Sequence, residues 1–294
     1  MKYQSDFIKN RLLVAITAGI FSLSAIFSFS ACSKATSSEQ VATEIKIGVV
    51  GEHNEPWESV ARKLEKSGIK ITLVKFADYT LPNSALNDGE IDLNSFQHVA
   101  FLNNDIAAHG YKIERFGNTV IVPLGVYSTK IKSLNELKEG DTIAIPNDPT
   151  NGGRALKVLE LAGVISLNPE KGYLPTVRDI IKNSKNIKIY EVDAGNTPSL
   201  LPDVAACVIN SNYAVDNNID LKSAIFSDSI EGKLDPDNPY INIVAVSSKR
   251  KNDAILKRVV KAYQTKETAT LLKTLNQGVQ IPAFDYRRIR ITSV

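Results

Sequence analysis

The chain reads as an α/β protein of two lobes, each a mostly parallel sheet flanked by helices, with two segments of chain joining the lobes. Three observations predict this. Short apolar runs alternate with stretches of helical periodicity, the pattern of a parallel sheet with helical crossovers. The alternation is interrupted twice, at a β-rich run broken by Pro123 and again at Pro236 to Pro239. A polypeptide that leaves one unit and later returns to it makes a two-segment hinge, and open α/β sheets bind ligands beyond the carboxyl ends of their strands. The expected boundaries are residues 45–125 and 237–294 for the first lobe and 126–236 for the second.

Taken in order, IKIGVV at Ile45 to Val50 is a buried strand, followed by a helix from about Glu55 to Lys66 that stops at Gly68. Ile69 to Lys75 is a second strand. A short helix near Asn83 to Asn87 leads through Gly89 to a strand at Ile91 to Leu93, and Gln97 to Ala108 is helical up to Gly110. Thr119 to Tyr127 is extended and leaves the first lobe. The alternation resumes with a helix from Ser133, a strand at Thr142 to Ile145, a helix opened by Gly152 and a strand at Ile187 to Val192. A helical turn around Pro198 to Leu201, a strand at Val204 to Ile209 and a helix from Asn212 complete the second lobe. Ile241 to Val246 is a strand again, and Asp253 to Leu275 is largely helical.

The first residues stand outside this fold. Lys2, Lys9 and Arg11 precede an uncharged, mostly apolar stretch from Leu12 to Ser30 that ends in small residues before Cys32. An export signal of residues 1–31 fits this pattern, with cleavage at Cys32 and lipidation of that cysteine. An uncleaved membrane anchor is the alternative, because the apolar stretch is close to the roughly 20 residues a spanning helix needs. The polar segment SKATSSEQVAT favours lipidation, since residues 32–44 then form a soluble tether. Either way the folded part is expected at the cell membrane on its extracytoplasmic side.

Thirty-five basic and 32 acidic side chains are mixed throughout, for a net charge of +3, which argues against nucleic acid as the main partner. Cys207 is the one other cysteine, so no disulfide framework is expected. Its apolar neighbours mark it as a small buried hydrophobe. Enzyme signals are absent: the chain has no GxSxG elbow, no GxxxxGK[ST] loop and no HExxH. No cofactor is implied. His98 and His109 are separated by about three helical turns, too far for one metal ion on a straight helix.

Binding residues are easier to find. PNDPTNGGRAL, Pro146 to Leu156, runs from a strand into a helix that Thr150 or Asn151 is placed to cap. Gly152 and Gly153 permit a close backbone approach, and Arg154 falls in the first turn, where the helix dipole disfavours a cation unless an anion sits beside it. Two readings stand here: a carboxylate or phosphate site, or an ordinary loop with Arg154 exposed or paired to an acidic neighbour. Phe96, His98 and Phe101 fall near another helix start, and Tyr79 lies in the loop after the second strand. They would wall an apolar pocket suited to a thioether or aliphatic side chain; otherwise the phenylalanines are core and His98 is surface. Asn210, Asn212, Asn238 and Asn242 lie near strand ends, where an amide serves a ligand or a turn.

Together FQHVAFL, PNDPTNGGRAL and VINSNYA resemble the methionine-binding lipoproteins of bacterial ABC transporters, the MetQ/NlpA family, over nearly all of the chain from Ile45. The resemblance implies a type II periplasmic-binding-protein fold that closes on an amino acid and delivers it to a membrane permease and its ATPase. It implies a monomeric, non-enzymatic receptor. By motif, Arg154 would hold the ligand carboxylate, Asn210 and Asn242 its amino and carboxylate groups, and Tyr79, Phe96, His98 and Phe101 the side chain. Ala100-Phe101 stands where the family commonly has Pro-Tyr, Trp57 where a histidine is expected, and Ala205 where an acidic residue is common. L-methionine, D-methionine, a methionine dipeptide and another apolar amino acid all remain open as ligands. A surface lipoprotein for adhesion or partner interaction, or a metal receptor, is the competing function.

Overall fold

The computed structural model describes residues 43–228, 235 and 237–286. The export signal, Cys32, nearly all of the tether and Pro236 lie outside the described residues. The chain opens with β1 (Thr43–Val50), α1 (Glu55–Glu65), β2 (Ile69–Phe76), α2 (Pro82–Asp88), β3 (Leu93–Asn94) and α3 (Val99–His109). Next come β4 (Ile113–Asn118), β5 (Val120–Ile121), β6 (Gly125–Tyr127), β7 (Thr142–Pro146) and α4 (Pro149–Leu161). A hairpin of β8 (Ser166–Leu167) and β9 (Ile180–Lys182) precedes β10 (Lys188–Val192), β11 (Ala206–Ile209), α5 (Ser211–Asp216) and β12 (Phe226–Ser227). The chain ends with β13 (Ile243–Ser247), α6 (Ala254–Tyr263), α7 (Lys266–Thr274) and β14 (Ile281–Pro282).

Two five-stranded sheets organise these elements, in the orders β2-β1-β3-β13-β4 and β10-β7-β11-β6-β12. Both are mixed. In the first, β1 pairs in parallel with β2 and β3, while β13 runs antiparallel between β3 and β4. The second repeats the plan: β7 is parallel to β10 and β11, and β6 is antiparallel to β11 and β12. The parallel strands come from helical crossovers, whereas the antiparallel ones are those next to the chain's two passages between the sheets. Residues 122–124 make the first passage and the stretch from Asp228 to Asn242 contains the second.

Most elements follow from local pattern. In α1 the buried residues Trp57, Val60 and Leu64 form one stripe, Glu55 and Glu58 occupy the first turn, and Arg62 and Lys63 the last, matching the helix dipole. β1 alternates at its start and is buried continuously from Ile47 to Val50, where elements cover both of its faces. Several elements differ from the sequence pattern, among them the short strands β8, β9, β12 and β14, which it does not predict. β4 is an additional strand, IERFGN, whose charged residues hide its period and whose place depends on β13. The helix from Ser133 shrinks to a 3-10 turn, Leu134–Glu136, anchored by buried Leu134 and Leu137. The last helical region divides at Thr265, whose side chain accepts from Thr268 N and starts α7 anew.

Each sheet has its own core. Ile45, Ile47, Trp57, Leu93, Val244 and Leu256 pack the first sheet against α1 and α6. Ile143, Ile145, Leu156, Leu159 and Val208 pack the second against α4. A third cluster draws on both sides, setting Val50, Phe76, Tyr79 and Phe96 against Tyr127, Ile209 and Tyr213. Cys207 lies in it, fully buried, and burial pushes its thiol up to about 12, so it acts as a small hydrophobe.

Leu159 is fully enclosed between α4 and the second sheet. Leu159→Ala is expected to lower the unfolding free energy by about 2–5 kcal/mol in urea denaturation. A loss below about 1 kcal/mol would mean that the site closes by collapse and that α4 is not rigidly seated.

Candidate functional site

The start of α4 differs from the sequence reading in a way that changes the chemistry. Asp148 is the N-cap, in place of Thr150 or Asn151, and its carboxylate accepts from Thr150 N at 3.2 Å and Asn151 N at 2.9 Å. Pro149 follows it at the first helical position, so the helix begins earlier and Arg154 enters the second turn. The amide groups that an external anion would have met are therefore taken by Asp148. Gly152 serves the chain's own packing: a Cβ there would sit 2.6 Å from the carbonyl oxygen of Pro146, where α4 leaves β7.

Arg154 is buried and already has a counter-ion. Its Nε donates to Asp228 at 2.9 Å, and Nη2 donates to Asp228 at 3.2 Å and to the Val122 carbonyl at 2.9 Å. The Tyr240 ring lies 4.3 Å from its Cζ, a cation–π contact. Of the two readings of this arginine, the acidic neighbour is present, but Arg154 is buried and lines a cavity. Nη1 is the guanidinium nitrogen that neither Asp228 nor Val122 engages.

A polar relay runs beside it. Asn151 donates from Nδ2 to Asp148 at 3.0 Å, which fixes its amide so that Oδ1 points away from the cap. That oxygen accepts from Asn210 Nδ2 at 2.8 Å and pairs with His98 Nε2 at 3.3 Å. His98 caps α3, its Nδ1 accepting from Phe101 N at 3.1 Å, so Nε2 carries the proton. Burial, and then the charge of Arg154, lower the His98 pKa to about 3 and keep the ring neutral.

The apolar wall stands on the other side. Tyr79 lies 5.9 Å from Phe96 and 6.0 Å from Phe101, and the two phenylalanines meet edge to face at 5.7 Å. The Tyr79 hydroxyl donates to Asn212 Oδ1 at 2.5 Å, and burial raises its pKa well above the ordinary value. Two buried amide atoms in this region have no partner among the described residues: Asn210 Oδ1, an acceptor, and Asn212 Nδ2, a donor. Each is an unpaired polar group that a ligand of opposite sense would satisfy.

One cavity of about 390 Å³ is lined by Tyr79, Phe96, His98, Phe101, Arg154, Asn210 and Asn242, the seven residues singled out from the sequence. Asn212 lines it as well, whereas Asn238 accepts from Tyr240 N in a turn outside it. Asn242 is set by its backbone, whose N–H donates to the Val120 carbonyl and whose carbonyl accepts from Thr119 N on one side, with a bridge to His98 on the other. Asn151, a candidate cap by sequence, is the centre of the relay. Asp228 and Tyr240 escaped the sequence reading altogether. At the rim, Asp216 of α5 accepts from Glu52 N and His53 N at 3.1 and 3.4 Å, a contact between the two sides that requires Gly51 at φ +87°. Among the described residues no group of three His, Cys, Asp or Glu side chains is placed to hold a metal ion.

A family model described as NlpA lipoprotein matches residues 45–284. The chain belongs to that family. Its sequence is 41% identical over 233 residues to the D-methionine-binding lipoprotein MetQ of Escherichia coli strain K12, covering 78% of this chain and 84% of that one. A nutrient-binding protein from Burkholderia cenocepacia bound to methionine is similar in structure, with a TM-score of 0.77, 41% identity and coverage of 82% and 100% of the two chains. An ABC transporter periplasmic substrate-binding protein from Coxiella burnetii matches at a TM-score of 0.74 and 36% identity, over 81% of this chain and 99% of that one. The fold of this NlpA lipoprotein is thus that of the two-lobed periplasmic binding proteins. Its Trp57, in the first turn of α1, packs 4.5 Å from Tyr263 and lines the cavity.

His98 supplies a pH test of the relay. The ring is neutral when buried, but the unfolded chain protonates it near 6.5, so the unfolded state binds more protons from about pH 6.5 down to about 3. Stability is therefore full above that window and falls as pH drops through it. In His98→Gln the decline is expected to be shallower by up to one proton per molecule, read from unfolding free energies against pH. An identical slope in both proteins would show that His98 is not held neutral.

Proposed function

We propose that this chain is the substrate-binding lipoprotein of an ABC importer, taking up methionine or a close derivative in the cavity between its sheets and presenting it to the permease. The carrying observation is that one cavity combines a buried arginine, an unpartnered acceptor, an unpartnered donor and an aromatic wall. A free amino acid needs all four. Its carboxylate meets Arg154 and the amide donor of Asn212 or Asn242, and its ammonium meets Asn210 Oδ1. The side chain lies among Tyr79, Phe96 and Phe101, where a thioether gains roughly 0.3–1.5 kcal/mol per aromatic contact. His98 stays neutral and orients the amide pair. The names of the relatives, which bind D-methionine or hold methionine in their structures, support the same reading.

In this reading Cys32 carries the lipid that keeps the protein on the outer face of the membrane beside its permease and ATPase, and the protein works as a monomer. More than one acyl chain on that cysteine makes the anchor stable. Calorimetry on protein stripped of co-purified ligand is expected to show methionine binding, weakened about tenfold to a hundredfold in Asn210→Ala as a charge-assisted hydrogen bond is lost. Native protein that binds neither enantiomer of methionine nor a methionine dipeptide would overturn the proposal.

A further inference from the structure

The guanidinium of Arg154 reaches the cavity with its charge already balanced. Arg154 and Asp228 side chains are 4% and 15% exposed, and the pair is held by two hydrogen bonds in the same fork. Asp228 is itself positioned, accepting from Leu124 N at 2.7 Å. His98 and Tyr79, which also line the cavity, are neutral, and the Asp148 carboxylate behind Asn151 is engaged by the start of α4. Charges that line the cavity elsewhere stand at the rim: His53 is paired with Glu55, and Asp216 is held by two backbone amides. The ion pair through which Arg154 meets the cavity therefore carries no net charge.

That balance discriminates between ligands. A carboxylic acid without an amine would bury a negative charge beside an arginine already neutralised by Asp228, and would leave Asn210 Oδ1 without a partner. A zwitterion adds one charge of each sign and satisfies the orphaned acceptor and donor together. We propose that Asp228 is the residue by which this site selects zwitterionic amino acids over the corresponding acids that lack the amine. It is a positioning residue, acting through Arg154 by setting both the charge and the direction of the guanidinium. The inference rests on the amino-acid reading above and adds to it the origin of the selectivity.

The test compares methionine with 4-(methylthio)butanoate, the same molecule without its amine, by calorimetry on the full-length protein in detergent. Native protein is expected to prefer methionine by about 100-fold or more. Asp228→Asn, which keeps an acceptor but removes the charge, should shrink that ratio by about tenfold or more, chiefly by tightening the acid. Asp228→Glu should retain the native ratio. A ratio in Asp228→Asn within about twofold of native, with both ligands weakened alike, would reduce Asp228 to a structural part and overturn the inference. So would native protein that binds the acid as tightly as methionine, an outcome that needs no variant. Native protein that binds neither ligand would instead overturn the amino-acid reading itself, and the inference with it.

Discussion

Burying one guanidinium organises this site. Arg154 is 4% exposed, and a charge removed from water that far must be compensated by a partner and by hydrogen bonds. The compensation comes from both passages of the chain between the sheets: the Val122 carbonyl from the first, Asp228 and the ring of Tyr240 from the second. Satisfying one side chain of α4 thus fixes where both connecting segments run. Arg154, which lines the cavity, is thereby bonded to both connecting segments.

The neighbouring relay follows the same logic with neutral groups. Asp148 caps α4 and orients Asn151, and Asn151 orients both His98 and Asn210. Low local dielectric strengthens each satisfied bond and raises the cost of each unsatisfied one. Against that background two buried amide atoms, Asn210 Oδ1 and Asn212 Nδ2, stand out as lacking a partner among the described residues. They differ in sense, one accepting and one donating, and the nearby ion pair is neutral overall. A molecule with both an ammonium and a carboxylate is the simplest complement.

Much of this was legible in the sequence, for reasons that differ from residue to residue. β1, α1 and β2 have long, regular patterns, and their places follow from burial alone. Asp148 carries a local signal, since a proline one residue after an aspartate marks the cap. β4 had none: its charges obscure the alternation, and only β13, arriving from far along the chain, makes it a strand. Asp228 was equally hidden, because a carboxylate 74 residues from its arginine has no periodicity or spacing to reveal it.

By itself the sequence determined the alternation of strands and helices, the two breaks, and the residue types gathered at strand ends: an arginine, two aromatics around a histidine, and several asparagines. These depend on local propensity and on which face of an element is apolar, properties of neighbouring residues. The tertiary structure decided which atoms meet. Sheet order brought α4, α5 and the loop after β2 around one cavity, and the two passages brought Val122 and Asp228 to Arg154. Hydrogen bonds between side chains so distant in sequence depend on register and on the path of the chain, and no local pattern encodes them. The anion expected beside Arg154 was therefore a sound reading of its chemistry, while the identity of the first such anion, the protein's own Asp228, could come only from the fold.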